Sequence, residues 1–379
     1  MNILAIETSF DETACAVIQD GTKIISNILA TSHEMHNKYG GVVPEIAARR
    51  QLECIIPVIM EALTVFDEGV GGSMSQRINK NIDAIAVTVG PGLIGSLLVG
   101  VETAKTLAFA CSKPIIPVNH VLAHMFANFV KLQPTNYNLQ PIQFPAISLV
   151  VSGGHTELYL MKSTKDLMWL GGTLDDAAGE CFDKCARILG LGHGGGVAIE
   201  KAAKSANDKS TNLQIQLPRP MMHDESLNFS FSGLKTAVMR EWKKHSFSVI
   251  PAQAGIQPKK NTGSPIRSGM TNAFAYEIQE AITDVLVEKT IRAAKQYGAK
   301  TILLSGGVAA NQRLREKFSS TIQQYNNLTV VVPEVRLCTD NAVMISAAAY
   351  FFHKPTDWHE ITAQPDLSVE IETHLSPER

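Results

Sequence analysis

Several things are scarce in this sequence, and each scarcity removes a class of protein. No uninterrupted apolar run reaches the roughly 18 residues a helix needs to cross a bilayer, so no membrane span is expected. Charge of one sign is not in excess either: 34 Lys and Arg stand against 36 Asp and Glu, a formal net charge of -2. That balance gives no global attraction for a phosphate backbone, so any nucleic-acid partner must be held by a local patch or with another subunit's help. Cysteine is sparse and scattered, with Cys15, Cys54, Cys111, Cys181, Cys185 and Cys338 in no CxxC spacing. A disulfide framework or zinc ribbon is therefore not expected, and reduced, mostly buried thiols are. Cys181 and Cys185 share a helical face, but without a second ligand pair nearby they read as packing thiols. Met1 leads within two residues into "ILAIET", which reads as a strand and not a signal peptide, so the cytosol is the expected compartment.

What is present is enough for a large fold. The 379 residues exceed one ordinary core and suggest two domains, and 45% hydrophobic with 18% charged residues is a globular balance. The opening stretch "NILAIETSFDETACAVIQDG" alternates around a polar turn and predicts two antiparallel strands. An amphipathic helix follows over about 43–63, then "IDAIAVTVG" as a buried strand, a glycine-punctuated helix from "PGLIGSLLVG" onward, and the strand "PIIPV". From Phe144 the plan repeats, with "FPAISLVVSGGHTELYLM" as strand, turn, strand, then helices, then "TILLSGG" running into a further helix. The repetition argues for a duplicated unit with a ligand cleft between its halves. Residues 247–270, rich in Pro and Gly and without period, predict an exposed irregular insertion. The polar stretch after Pro355 is expected on the surface.

Within "PVNHVLAHMFANF", His120 and His124 lie four residues apart, so on a helix both imidazoles can reach one divalent ion. The bland alternative is two unrelated histidines, one buried and one exposed. The zinc-protease pattern HExxH is not met, because Val121 stands where the water-activating glutamate belongs. "RLCTDNAVMISAAAY" puts Asp340 at the start of an apolar helix, where it suits either an N-cap or a third ligand completing two His and one carboxylate. Two Ser-Gly-Gly turns, at Ser152, Gly153 and Gly154 and again in "LLSGGVAANQRL", leave backbone amides open to an anion. Together with "TSFDET" they suggest a bilobal nucleotide-binding plan. Asp183 and the glycines of "LGHGGG" are placed to meet at a turn that could hold a ribose, although much of the charge around Asp175, Asp176 and Glu180 reads as a solvated face.

In order along the chain, "IETSFDET", "GGVVPEIAAR", "GPGLIGSLLVG", "NHVLAH", "VSGGHTEL", "DDAAGECFDK", "FSFSGLKTAV", "LSGGVAANQRL" and "CTDNAVM" resemble the TsaD family of tRNA N6-adenosine threonylcarbamoyltransferases, once described as O-sialoglycoprotein endopeptidases. The resemblance spans nearly the whole chain. It implies an α/β, two-lobed actin-like ATPase fold with duplicated βββαβαβα lobes: 1–118 plus 340–355 as one, 119–339 as the other, and 356–379 as a surface tail. It implies that His120, His124 and Asp340 hold one divalent metal, Fe2+ first and Zn2+ second. Val150, Val151, Ser152, Gly153, Gly154, Asp183, Gly196 and Asn311 match substrate-binding positions, and Asp11 and Glu12 match acidic residues at the reacting group. The implied reaction passes a threonylcarbamoyl group from threonylcarbamoyl-AMP to the N6 amine of adenosine 37 in tRNAs reading ANN codons, with a TsaB-like paralogue and a TsaE-like ATPase as partners. One departure stands out: relatives usually read Tyr-Pro-Gly-Gly-Pro where this chain has His193, Gly194, Gly195, Gly196 and Val197. Two other readings stay open at this point, a metallopeptidase and a nucleotide-binding scaffold without catalysis.

Overall fold

In the computed structural model, residues 1–32, 42–66, 71–130, 142–192, 194–207, 215–247, 265–325 and 327–369 are described. Strands β1 (Asn2–Glu7), β2 (Glu12–Gln19) and β3 (Lys23–Thr31) form an antiparallel meander, and β4 (Ala84–Gly90) and β5 (Ile115–Asn119) extend it in parallel from β1. Strands β6 (Ala146–Val151), β7 (Thr156–Met161) and β8 (Leu167–Gly172) make a second meander, extended from β6 by β9 (Thr301–Ser305) and β10 (Thr329–Val331). The sheet orders β3-β2-β1-β4-β5 and β8-β7-β6-β9-β10 are the same plan twice. This is the duplicated α/β architecture that the sequence suggested.

Burial explains the layering. β4 and β6 are buried along their whole length, as parallel or central strands covered on both faces must be. Alternate residues of β1 face different layers. Leu4 and Ile6 join the cluster beneath α1 (Pro44–Phe66), α2 (Met74–Asn81) and α3 (Ile94–Cys111), whereas Ile3 and Ala5 face inward. β6 does the same, sending Ile147, Leu149 and Val151 toward α5 (Ala178–Leu189), α6 (Gly195–Lys204), α7 (Ser232–Phe247) and α8 (Pro265–Gln296). Its residues Ala146 and Val150 point the other way, into the cluster that holds α4 (His120–Phe126) and α10 (Ala342–Phe351). A middle layer of α4 and α10 is thus shared by both sheets. Helix α9 (Gln312–Ile322) completes the set.

Helix α1 matches its predicted span closely and buries Ala47, Gln51, Ile55, Val58, Ile59, Ala62 and Leu63 at helical spacing. α3 is the one described helix with the length and composition to cross a membrane, and it is partly buried against the first sheet through Val99, Val101, Ala104 and Ala108.

Two expectations need correction. Of the 247–270 stretch, Phe247 closes α7 and residues 265–270 open α8, while 248–264 lie outside the described residues. Pro265 sits in the first turn, where a missing N–H costs nothing and φ is already helical, so a proline that reads as a breaker instead starts a helix. The segment after Pro355 is also not simply a surface tail: Ile361 and Val369 are buried, and Thr356 bridges to Ile115. Apolar residues spaced along an otherwise polar strap suffice to dock it.

Candidate metal centre and adjoining cleft

Helix α4 begins directly after β5, where Asn119 Oδ1 accepts hydrogen bonds from the amides of Val121 (2.9 Å) and Leu122 (3.1 Å). Every residue of α4 is buried, including both histidines, so the reading of one buried and one exposed imidazole fails. Their rings meet edge to face with centroids 4.8 Å apart. The two Nε2 atoms lie 3.5 Å (His120) and 3.3 Å (His124) from the same oxygen, Asp340 Oδ1. One donor atom from each of these residues falls within 4.8 Å of the others.

Asp340 is free for this because it is not the helix cap. Asn341 caps α10, its Oδ1 accepting from the Met344 amide at 3.0 Å, and its amide group donates to the Thr339 carbonyl at 2.7 Å. The cap and ligand readings of "TDNA" are therefore divided between neighbours.

Behind His120 stands Glu7, the first residue of "ETSFDET", whose role is not apparent from the sequence pattern. His120 Nδ1 lies 3.2 Å from Glu7 Oε2 and 3.1 Å from Ser9 Oγ. Glu7 is itself fixed by the Thr88 hydroxyl and the Ser9 amide. A carboxylate on Nδ1 favours the tautomer that leaves Nε2 as a lone pair facing Asp340. His124 is buried, its Nδ1 has no hydrogen-bond partner among the described residues, and its Nε2 has only the poorly aligned contact to Asp340 Oδ1 at 3.3 Å. An unsatisfied buried nitrogen is costly, and a cation between His120, His124 and Asp340 would satisfy it. The donor set of two imidazoles and one carboxylate suits Fe2+ or Zn2+ and leaves positions open.

In the absence of a cation, the charges of the site perturb one another strongly. Burial pulls the His120 imidazole down, but Asp340 and Glu7 outweigh it and hold it up to about 9. Burial pushes Asp340 up, while His120 and His124 draw it below the usual carboxylate range. Glu12 is raised, first by burial and then by the charge of Asp340 and its hydrogen bond to Asp11. His155 is pushed down to about 4 by burial and by its neighbours His120 and His124. Glu12 thus keeps its proton under burial and the negative charge of Asp340, Asp11 and Glu7 around it.

The acidic turn between β1 and β2 is held from outside. Gln51 Nε2 reaches the carbonyls of Thr8 (3.2 Å), Phe10 (3.0 Å) and Glu12 (2.9 Å), and Ser96 Oγ donates to Phe10 O at 2.9 Å. Ser32 Oγ donates to Asp11 O at 2.8 Å. A Cβ on Gly100 would fall 2.3 Å from Thr8 Oγ1, so only glycine lets α3 approach this turn so closely.

The two Ser-Gly-Gly turns lie side by side, because β6 pairs with β9 and Val150 is opposite Ser305. Val150 and Val151 end β6. The 152–155 turn is closed by Ser152 N donating to His155 O (2.8 Å) and His155 N donating to Ser152 Oγ (3.1 Å), with Gly153 and Gly154 exposed and uncrowded. Asp183 on α5 meets Gly195 at the start of α6, where an added Cβ would sit 1.9 Å from Asp183 Oδ1. Gly196 is open, and His193 lies outside the described residues. Asn311 caps α9, and its Nδ2 donates to Gln279 Oε1 at 3.1 Å. Of the remaining acidic residues, Asp175 accepts from Ser230 and Ser232, and Asp176 pairs with Lys184, so neither faces the cleft as a free carboxylate. The structure thus brings His120, His124 and Asp340 together, sets Asp11 and Glu12 beside them, and places Val150 to Gly154 at the neighbouring strand end.

The family model for TsaD, described as tRNA N6-adenosine threonylcarbamoyltransferase, matches residues 23–347. The chain is 46% identical over 377 residues to the protein of that name from Thermomicrobium roseum, covering 99% of this chain and 96% of that one. It is 45% identical over 353 residues to the one from Syntrophomonas wolfei, covering 93% and 92%. Among solved structures, full-length HypF in its phosphate- and nucleotide-bound form is similar in fold, with a TM-score of 0.51 at 11% identity, covering 92% of this chain and 46% of that one.

Proposed function

This chain belongs to the TsaD family of tRNA N6-adenosine threonylcarbamoyltransferases, and from that membership we propose how its own residues carry out the acyl transfer. The donor is threonylcarbamoyl-AMP and the acceptor is the N6 amine of adenosine 37 in tRNAs reading ANN codons. The amine nitrogen bonds to the carbamoyl carbon, the bond from that carbon to the phosphate oxygen breaks, and AMP leaves. The observation that carries this reading is the convergence of His120, His124 and Asp340 at the end of a sheet beside two paired glycine turns.

His120, His124 and Asp340 would hold one divalent ion, Fe2+ by the family pattern and Zn2+ as the alternative. Bound there, it supplies Lewis-acid stabilisation of charge on a donor oxygen. The open amides of Gly153 and Gly154 orient the phosphate of the donor, Val150, Val151 and Ser152 shape the wall behind it, and Asp183, Gly196 and Asn311 face its nucleoside. The amine is weakly nucleophilic because its lone pair is delocalised, so a carboxylate must take its proton. Between Asp11 and Glu12, the raised affinity of Glu12 for its own proton leaves Asp11 as the acceptor we favour. We propose the lobes 1–118 with 340–355 and 119–339, the divide running through the α4 and α10 layer.

The balanced charge favours tRNA held with partners, a TsaB-like paralogue and a TsaE-like ATPase, in the cytoplasm. Helix α1 supports such docking: beside its buried stripe it exposes Leu52 and Ile56, and α3 exposes Ile94 and Leu98. A peptidase reading is not favoured, since the buried Val121 occupies the place of the water-activating base.

The test is direct. Metal-loaded protein with its partners, given unmodified tRNA and threonylcarbamoyl-AMP, should yield tRNA whose digested nucleosides carry the threonylcarbamoyl mass on adenosine. Cleavage of a glycoprotein substrate without any modified adenosine would reject the reading.

A further inference from the structure

A cavity of about 560 Å³ opens on the far side of the 152–155 turn from the proposed donor residues. Sheet order fixes this. Asn311 follows β9, on one side of β6, whereas the cavity is walled by Glu157 at the start of β7 and by Trp169 and Gly172 of β8, on the other side. Val121, which directly follows His120, and His155 line the end of the cavity nearest the metal centre. None of the residues assigned above to the donor lines it.

The opposite wall is the strap 365–369, and it is firmly seated. Gln364 N donates to Val89 O at 2.7 Å, Gly92 N donates to Pro365 O at 3.1 Å, and Val369 is buried in the middle layer. A Cβ on Gly90 would fall 1.9 Å from Gln364 O, so the strap lies directly on the end of β4. On the facing wall, a Cβ on Gly172 would sit 3.4 Å from Trp169 Cζ2 and 3.3 Å from Glu157 Cγ. The missing side chain lets the indole and the carboxylate stem settle against the strand. Trp169 is only half-buried, which leaves ring surface toward the cavity.

We infer that this cavity receives the acceptor base of the RNA, with Trp169 as its stacking platform. The inference rests on the transfer reading above and adds the acceptor side to it. A flat aromatic in a pocket of nucleoside size, with the Asp366 carboxylate on the facing strap to accept from amino or hydroxyl groups, is the chemistry by which an unstacked nucleobase is held. Val121 and His155, which neighbour the metal centre, line the cavity, so a purine seated there can direct an edge toward the place where acyl transfer is proposed. The donor, held from the β9 side, then approaches from the opposite direction.

The experiment uses metal-loaded protein with its partners and measures KM separately for tRNA and donor. Trp169→Ala should raise the KM for tRNA by roughly 10- to 100-fold, the loss of one base–aromatic stack, with the donor KM unchanged. Trp169→Phe, which keeps a ring, should restore most of it. In a Trp242→Phe, Trp358→Phe background Trp169 is the sole indole, and its emission should be quenched by an anticodon stem-loop carrying the acceptor adenosine. Unchanged tRNA KM in Trp169→Ala, a rise in donor KM instead, or no quenching would overturn the inference. Should Trp169→Ala not fold, the phenylalanine variant and the quenching measurement decide it. Quenching by wild-type RNA in a protein that never forms product would leave the base site standing and reject the transfer reading.

Discussion

Glu7 Oε2 lies 3.2 Å from His120 Nδ1, on the side of the ring opposite Asp340. The carboxylate fixes which nitrogen carries the proton and raises the basicity of the other. Glu7→Gln keeps the shape and removes the charge, so metal affinity should fall by about 10- to 100-fold while the thermal melt of the metal-free protein changes little. Competition against a chromogenic chelator measures this. Equal affinity in both proteins would show that Glu7 does not support the ligand.

Asp340 and Asn341 are neighbours with separable duties. Asp340→Ala should abolish stoichiometric metal, read by elemental analysis of dialysed protein. Asn341→Ala removes the cap of α10 and should cost about 1 kcal/mol in urea unfolding while metal is retained. The opposite pattern would exchange the two roles.

The glycines after Gly194 give a second contrast. Gly195→Ala forces a Cβ into Asp183 and should destabilise the fold by about 1–3 kcal/mol, with the α5–α6 junction displaced. Gly196→Ala meets nothing within 4 Å, so its melt should match the parent. If Gly196 faces the donor, titration with threonylcarbamoyl-AMP will nonetheless show weakened binding.

Acid separates one structural carboxylate from the rest. Burial pushes Asp175 up, but the hydroxyls of Ser230 and Ser232 and the amides of Phe231 and Ser232 outweigh it and hold the group at about 2, below its ordinary 3.8. A depressed folded value means the stabilisation is complete above 3.8 and disappears as pH falls through about 2. Asp175→Asn should therefore be less stable than the parent at neutral pH, with the gap closing over that acid window in pH-resolved denaturation. A gap independent of pH would assign the effect to packing.

The central strands were legible because their apolar alternation is strong, as in "ILAI" and "ACAVI", and the repeated plan followed from them. β3 and β8 were not. Both are edge strands: β3 has mixed burial, and β8 ends on Gly171 and Gly172, so neither carries a clean period. In the site, the histidine spacing was readable because a helix makes it local. Asp340 was ambiguous because cap and ligand chemistry overlap, and only the position of Asn341 separates them. Glu7, His155 and Trp169 gave little signal, since what they do depends on neighbours brought in from other elements.

The layer of α4 and α10 belongs to both sheets at once: Ala5, Val150 and Val343 sit in one continuous cluster. Neither half can shed its partner without stripping the inner face of its own sheet. Heating should consequently give a single calorimetric endotherm, and the enthalpy from its shape should agree with the enthalpy under its area. Two independently folding modules would melt in two steps. Here the pair shares one spine, and the two histidines proposed to bind the cation are built into it.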